Sequence, residues 1–449
     1  MKQNDDSKSA AVAQTPQQAE DSHARWGWVE RSVWTERMLT RLTSGESADR
    51  VWFRLWDKTY MPANLASAFE KVWRNGGSAG ADAQSVAHFA RHTEEELSRL
   101  GEQMRGGTYR PQPVRRAWIP KPGSKEQRPL GIPAVRDRIV QGALRHVLEP
   151  IFEAEFAGQS YGFRPGRGAK DALRRVDALL KGGHDWVVDA DLKSYFDTIP
   201  HDRLLALVKA RVADGRVLAL VESFLRAGVL EEAKDWRPTE CGTPQGGVIS
   251  PLLANLYLDP MDHRMAAAGW EMVRYADDFV ILCRTEAEAR SALAAVQAWV
   301  SEAGLTLHPE KTRVVDATQR GGFDFLGYHF ERGMRWPREK SLKKLKERLR
   351  AKTPRTDGRS LRAIVGDVNR SLRGWYEYFQ HSKGHVFAKI DGYVRHRLRS
   401  LLEKRRGHTR QGMGRAHQRW PNEWFARRGL WSLAAAHDWT RATVGIRTH

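Results

Sequence analysis

Hydrophobic positions along this chain first follow a mixed pattern of strands and helices, and then a purely helical one. Residues 23–105 read as mostly helical and carry Trp26, Trp28, Trp34, Trp52, Trp56 and Trp73, with a break at Asn75-Gly-Gly-Ser-Ala-Gly80. From Arg110 to Pro133 the pattern changes to short extended pieces. Val114–Ile119 and Arg128–Pro133 flank the turn Pro120-Lys-Pro-Gly123, which predicts a hairpin. A helix carrying Ile139, Leu144, Val147, Leu148 and Ile151 follows, and another is predicted near Ala169–Leu180. In Trp186-Val-Val-Asp-Ala-Asp-Leu192, strand alternation puts Asp189 and Asp191 on one face and Val188 and Ala190 on the other. Residues 201–230 return to helix. Gly242-Thr-Pro-Gln-Gly-Gly247 is a glycine-rich loop, after which Ser250 and Pro251 are expected to cap and open a helix. Met272-Val273 and Phe279–Leu282 are strand-like runs on either side of Tyr275-Ala-Asp-Asp278. A helix over 286–303 ends at Gly304, and strands are expected near Thr312–Val315 and Phe323–His329. The alternation predicts an α+β fold, with an antiparallel sheet backed by helices.

Beyond residue 330 the period is helical throughout. Leu342, Leu345 and Leu349 form one apolar face among Lys343, Lys344, Lys346, Arg348 and Arg350. Leu361, Ile364, Val365, Val368, Leu372, Trp375, Tyr376 and Phe379 form a second, and Phe387, Ile390, Val394, Leu398, Leu401 and Leu402 a third. Three packed amphipathic helices with basic sides outward are expected, with the three aromatics in their core. Residues 407–419 read as a loop, and 420–449 as a small aromatic tail with little periodic signal.

Charge sharpens this division. Residues 331–449 hold 30 Lys+Arg and 10 Asp+Glu; subtraction from the totals of 74 and 54 leaves 44 of each for residues 1–330. The whole excess of +20 therefore lies in the final 119 residues. A neutral catalytic body joined to a polyanion-binding module fits this asymmetry. With 449 residues, two or three domains are expected. No run of 18 apolar residues occurs, so no membrane span is expected. The first 22 residues are polar and read as a disordered lead-in, without the apolar core of a signal peptide. Two cysteines, Cys241 and Cys283, are too few for a disulfide framework and fit a reducing, cytosolic setting.

Candidate chemistry begins at Asp277 and Asp278. Two adjacent carboxylates inside an apolar hairpin are costly, and a bound divalent cation is the usual compensation. A magnesium site at the hairpin tip is therefore predicted. Asp191, at the end of its strand, could join the pair if the two strands are neighbours. Three carboxylates can hold two magnesium ions, one lowering the pKa of an attacking hydroxyl and the other holding triphosphate oxygens. Asp189 competes with Asp191 for this role. Asp191 is preferred because Lys193-Ser-Tyr-Phe-Asp197 after it suits a nucleotide pocket, in which Phe196 could lie beneath the sugar and exclude a 2′-hydroxyl.

Five motifs then occur in order: Asp191-x-x-x-x-Phe196, Gly242-Thr-Pro-Gln-Gly-Gly-Val-Ile-Ser-Pro251, Tyr275-Ala-Asp-Asp278, Gly304-Leu-Thr-Leu-His-Pro-Glu-Lys-Thr312 and Phe325-Leu-Gly327. Together they resemble the palm of a reverse transcriptase. With Ile119-Pro-Lys-Pro-Gly123, Arg128-Pro-Leu-Gly-Ile-Pro133, Tyr161-Gly-Phe-Arg-Pro-Gly166 and Ser371-Leu-Arg-Gly-Trp375, the chain resembles bacterial group II intron-encoded reverse transcriptase/maturases over roughly residues 50–449.

The resemblance implies a right-hand polymerase with a helical thumb. After the lead-in at 1–22 come an N-terminal helical extension of the fingers (23–105), fingers and palm (106–330), a thumb or maturase domain X (331–406) and a basic tail (407–449). Asp191, Asp277 and Asp278 would be catalytic metal ligands for two Mg2+ ions. Lys121 and Arg128 would grip the incoming triphosphate, Gln245 would lie near the nucleotide and templating base, and Lys311 is a candidate acid for the leaving pyrophosphate. Arg164 and Arg167 would track the template backbone, and Phe325, Leu326 and Gly327 would grip the primer end. Lys343, Lys344, Lys346, Arg395 and Arg399 would bind RNA through the thumb. The implied partners are structured intron RNA, an RNA template with a DNA primer, dNTPs and target DNA. No membrane is implied, and the implied location is cytoplasmic, nucleoid-associated on DNA. Relatives often end in an endonuclease domain with paired cysteines and histidines. The tail has His408, His417, His437 and His449 but no cysteine, so no such domain is expected. A stand-alone reverse transcriptase in phage defence or CRISPR adaptation, and an RNA-binding splicing factor without polymerase activity, are the alternatives.

Overall fold

A computed structural model describes residues 25–43, 50–120, 127–231, 235–408 and 414–446. Its hub is the helix Val135–Glu153, which is buried on nearly all sides. Ile139, Val140, Ala143, Leu144, Val147 and Leu148 supply its apolar surface, while Asp137, Arg138, Gln141, His146 and Glu149 on the same helix are buried with hydrogen-bond partners. Helices of the N-terminal region, chiefly Pro62–Asn75, pack on it. Buried Asn64 donates to Ala143 O (3.1 Å), and Trp34 Nε1 donates to His146 O (3.0 Å), so polar pairing fixes the docking that apolar contact alone would leave loose.

The predicted hairpin forms from β1 (Val114–Pro120) and β2 (Gln127–Ile132), antiparallel with Ile119 opposite Arg128. Its turn, including Lys121, lies outside the described residues. The helix expected across 201–230 is instead two, His201–Lys209 and Gly215–Leu225. The first ends at Lys209, and Asp214 caps the second, accepting from Arg216 N and Val217 N. A further hairpin follows, β4 (Val229–Glu231) and β5 (Asp235–Arg237), which extends the first sheet in the order β2-β1-β4-β5.

The central sheet has β3 (Trp186–Asp191), β6 (Glu271–Tyr275), β7 (Asp278–Cys283) and β8 (Arg313–Asp316) in the order β6-β7-β3-β8, all antiparallel. Strand alternation splits its side chains between two cores. Val188, Ala190, Phe279 and Ile281 join the core around Val135–Glu153. Val187, Val273, Val280 and Leu282 join a second core with the C-terminal helices. Asp189 and Asp191 alternate with the first set and so point to the second face.

The strand expected over 323–329 is broken at Leu326-Gly327 into β9 (Phe323–Phe325) and β10 (Tyr328–Glu331), with β11 (Met334–Pro337) completing a three-stranded sheet. Both turn residues have positive φ (46° and 85°), as a tight hairpin turn requires. The three basic helices are Glu339–Lys352, Leu361–Phe379 and His385–Arg405. Trp375, Tyr376 and Phe379 are buried among them.

The C-terminal tail differs from its expectation. Helices Arg415–Arg419, Asn422–Ala426 and Leu433–Ile446 fold back, and Trp420, Phe425 and Leu433 enter the second core. Asp391 caps the last helix across sequence: its carboxylate accepts from Ser432 Oγ (2.7 Å), Leu433 N (3.0 Å) and Ala434 N (3.1 Å).

Candidate active site

β6 and β7 meet in a two-residue turn, Ala276-Asp277, with Tyr275 opposite Asp278. Ala276 has φ +60°, a position that glycine would occupy without strain. The turn is held from below by Arg274, whose Nη1 donates to Ala276 O (2.9 Å) and to Asn255 Oδ1 (3.0 Å). Arg274 is itself paired with Asp262, and both are buried.

On the neighbouring strand Asp191 lies directly opposite Asp278. Asp191, Asp277 and Asp278 therefore meet at one end of the sheet, with Asp189 one step further in. Burial, then the charges of Asp189, Asp191 and Asp277, push Asp278 up to about 7. Burial chiefly pushes Asp189 up to about 6, against the pull of Arg313 at 3.3 Å. Asp277 is raised as well, by burial first and with Asp191 contributing. Lys311 Nζ donates to Asp191 Oδ2. Among the described residues no group of three or more Asp, Glu, His or Cys side chains is already placed as metal ligands. The donor set is nonetheless made of hard carboxylate oxygens whose mutual repulsion Lys311 and Arg313 offset only in part, since Asp277 and Asp278 stay raised, and this suits Mg2+.

This cluster carries a stability cost. The folded-state value of Asp278 lies above its ordinary 3.8. Its contribution to stability is therefore full below about pH 4 and is lost as pH rises through about 7. At pH 8 in chelator, Asp278→Asn is expected to melt higher than the parent protein, by the equivalent of roughly 1–4 kcal/mol. An equal or lower melting temperature contradicts this.

The glycine-rich loop closes the site from the other side. Gln245 O accepts from Gly131 N (2.7 Å), while Gln245 Oε1 accepts from Arg128 Nε (2.6 Å) and its Nε2 donates to Asp197 Oδ2 (3.2 Å). Arg128 and Gln245 are thus one linked pair. Gly246 permits the approach, since a Cβ there would lie 2.4 Å from Gly131 O. Ser250 is not the helix cap expected; its Oγ accepts from Thr243 Oγ1 and donates to Pro244 O, tying down the loop.

Phe196 is 8% exposed and packs edge-on against Tyr195 and Phe163. Phe325 is buried. Leu326 O accepts from Tyr378 Oη (2.8 Å), and Gly327 O from Ser341 Oγ (3.0 Å) and Arg338 N (3.0 Å), so this turn is fastened to the basic helices. Lys343, Lys344 and Lys346 are exposed and Arg395 is half-buried.

Two arginines need correction. Arg164 is not a template contact: it is buried, paired with Glu153 and bonded to the carbonyls of Ala157 and Ser160. Arg399 is not a surface RNA contact either. It is buried, and its guanidinium donates to Trp420 O (2.9 Å) and Asn422 Oδ1 (3.0 Å), holding the tail. Both were basic residues in basic sequence, where nothing local distinguishes a strut from a surface cation. Arg167 is half-buried, with Nη1 on Gly158 O (2.8 Å) and Ser160 O (3.2 Å). Arg274 and Asn255 were missed; the only signal was the basic residue inside an otherwise apolar strand.

Comparison with known proteins agrees with this layout. Residues 119–330 match the family "Reverse transcriptase (RNA-dependent DNA polymerase)", and 342–427 match "Group II intron, maturase-specific domain". Group II intron-encoded protein LtrA of Lactococcus lactis subsp. cremoris is 38% identical over 232 residues, 51% of this chain and 38% of LtrA. The chain thus spans well under half of that relative. Protein YkfC of Escherichia coli (strain K12) is 32% identical over 348 residues, covering 69% of this chain and 86% of YkfC. The layout is accordingly that of a right-hand polymerase with a helical maturase domain. The chain belongs to the family of group II intron-encoded reverse transcriptase/maturases.

Proposed function

We propose that this protein is an RNA-directed DNA polymerase that also assists splicing and mobility of a group II intron. In the reaction, a primer 3′-hydroxyl attacks the α-phosphorus of a dNTP templated by RNA, and pyrophosphate leaves. The observation that supports this most is the register of β3 against β7, which sets Asp191 opposite Asp278 beside the Arg128–Gln245 pair. Asp191, Asp277 and Asp278 would hold two Mg2+ ions. When bound, the ions lower the pKa of the attacking hydroxyl and neutralise the triphosphate.

The chain's own residues do the rest. Arg128 presents a planar cation for phosphate oxygens, oriented by Gln245. Lys121, on the same hairpin, would add a point charge. Phe196 backs the sugar. Lys311 exchanges its carboxylate partner for the pyrophosphate and gives it a proton from Nζ. The Phe325-Leu-Gly327 turn, fastened to the thumb, supports the primer end. Primer extension on poly(rA)/oligo(dT) tests this reading; no extension by the parent protein contradicts it.

Thumb binding to intron RNA and to the hybrid duplex rests on Lys343, Lys344, Lys346 and Arg395. Changing the three exposed lysines to Gln should lower the slope of log affinity for intron RNA against log salt by about 2, at roughly 0.7–0.9 per phosphate contact. An unchanged slope removes them from the interface. Among the described residues no helix is long and apolar enough to cross a membrane. A cytoplasmic, nucleoid-associated location and a DNA target belong to the same proposal.

A further inference from the structure

We propose that Asp197 is a positioning residue for nucleotide binding: its carboxylate fixes the Gln245 amide so that Oε1 faces Arg128, and Arg128 is thereby aimed at the triphosphate. This rests on the polymerase reading above and deepens it.

The two ends of the Gln245 amide bond different partners. Oε1 accepts from Arg128 Nε (2.6 Å), and Nε2 donates to Asp197 Oδ2 (3.2 Å). A guanidinium can only donate, and a carboxylate can only accept. A flipped amide would set its NH2 against Arg128 and its oxygen against Asp197, with two repulsive contacts in place of two bonds. With both partners present, a single orientation is satisfied. Without Asp197 the amide is held at one end only.

Backbone contacts hold the carboxylate and the amide in register. Asp197 lies in the short helix Tyr195–Thr198, directly after β3. The start of the glycine-rich loop is bound to this segment: Thr243 N donates to Phe196 O (2.7 Å), Gly242 N to Ile199 O (2.8 Å) and Cys241 Sγ to Asp197 O (3.3 Å). Gly242 has φ +85°, and a Cβ there would lie 2.7 Å from the Asp197 carbonyl carbon. The loop therefore leaves Asp197 at a fixed height and returns to it through the Gln245 side chain.

Charge adds a second link. Burial raises the Asp197 carboxyl, while Arg116 of β1 and Arg128 of β2 pull it the other way. The carboxylate thus faces a cation from each strand of the hairpin. A carboxylate repels a triphosphate, so any benefit that Asp197 brings to nucleotide binding passes through Gln245 and the arginines. The Arg128–Gln245 and Gln245–Asp197 bonds are exposed to solvent and add little to folding stability. A bound nucleotide covers them, and in that drier setting their orientation counts.

The test compares the parent protein with Asp197→Ala, Asp197→Asn, Gln245→Met and the Asp197→Ala/Gln245→Met pair. Affinity for dTTP is read from ternary-complex formation on poly(rA) with a dideoxy-terminated oligo(dT), which needs no turnover; kcat is read from extension of the ordinary primer. Asp197→Ala should weaken dTTP binding about tenfold, with kcat within about twofold and with unchanged primer-template affinity and melting temperature. Asp197→Asn should lie between, because its oxygen still accepts from Nε2 while its NH2 tolerates the flip. Methionine keeps the length of glutamine and removes the amide. In the Gln245→Met background, Asp197→Ala should therefore weaken dTTP binding no further. Unchanged dTTP affinity in Asp197→Ala overturns the proposal. So does a tenfold loss that persists in the Gln245→Met background, which marks a role independent of the amide, and so does a lower melting temperature, which marks a structural residue. Absence of extension by the parent protein instead defeats the polymerase reading, and this inference with it.

Discussion

Asp277→Ala should lower primer extension on poly(rA)/oligo(dT) by about 10³-fold or more, the scale expected when a preorganised charge-stabilising group is removed from a site. The reason lies in the arrangement of the sheet end. Asp277 sits in a two-residue turn with its backbone set by Arg274 and its charge beside Asp191 and Asp278. No other carboxylate occupies that turn, so Asp189 cannot take its place. Because Asp277 is itself raised by burial and by its neighbours, its loss relieves repulsion. The variant should therefore fold, and the lost rate belongs to chemistry. Extension undiminished in Asp277→Ala removes the assignment.

The second large effect concerns Arg274 and Asp262. The pair is fully buried, with 1% and 0% side-chain exposure. Arg274 Nε bonds both carboxylate oxygens at 2.7 and 3.0 Å. Breaking such a pair leaves one buried charge without compensation, at a cost of about 3–5 kcal/mol. Arg274→Met alone should lower the melting temperature markedly. Arg274→Met with Asp262→Leu should recover most of the loss, because two apolar side chains leave no orphan charge. Extension should stay impaired in the double variant, since Ala276 O and Asn255 still lack their donor. Equal melting of single and double variants contradicts the pairing; full recovery of extension contradicts the positioning role.

The sequence exposed this site because its chemistry is local. Alternation in Trp186–Asp191 placed Asp189 and Asp191 on one face, and the apolar runs around Tyr275–Asp278 marked the hairpin. The side-by-side position of the two strands came from motif order, since no local pattern encodes pairing between residues nearly ninety apart. The thumb helices were legible for the same reason as the hairpin: each buries one stripe of its own.

What escaped detection depends on distant partners. Asp391 caps a helix that starts at Leu433, so the tail showed no start signal of its own. Leu326-Gly327 breaks a strand through positive φ at a leucine, which composition does not announce. Arg164 and Arg399 were read from charge, yet both serve buried carbonyls and carboxylates.

The central claim is that carboxylates from two strands hold divalent cations together. Mn2+ titration followed by electron paramagnetic resonance, with primer-template and a non-hydrolysable dNTP bound, tests it most directly. Asp191→Asn and Asp277→Ala should each weaken Mn2+ binding at least about tenfold relative to the parent protein. Binding by Asp191→Asn as tight as the parent's would mean that the two strands do not share an ion.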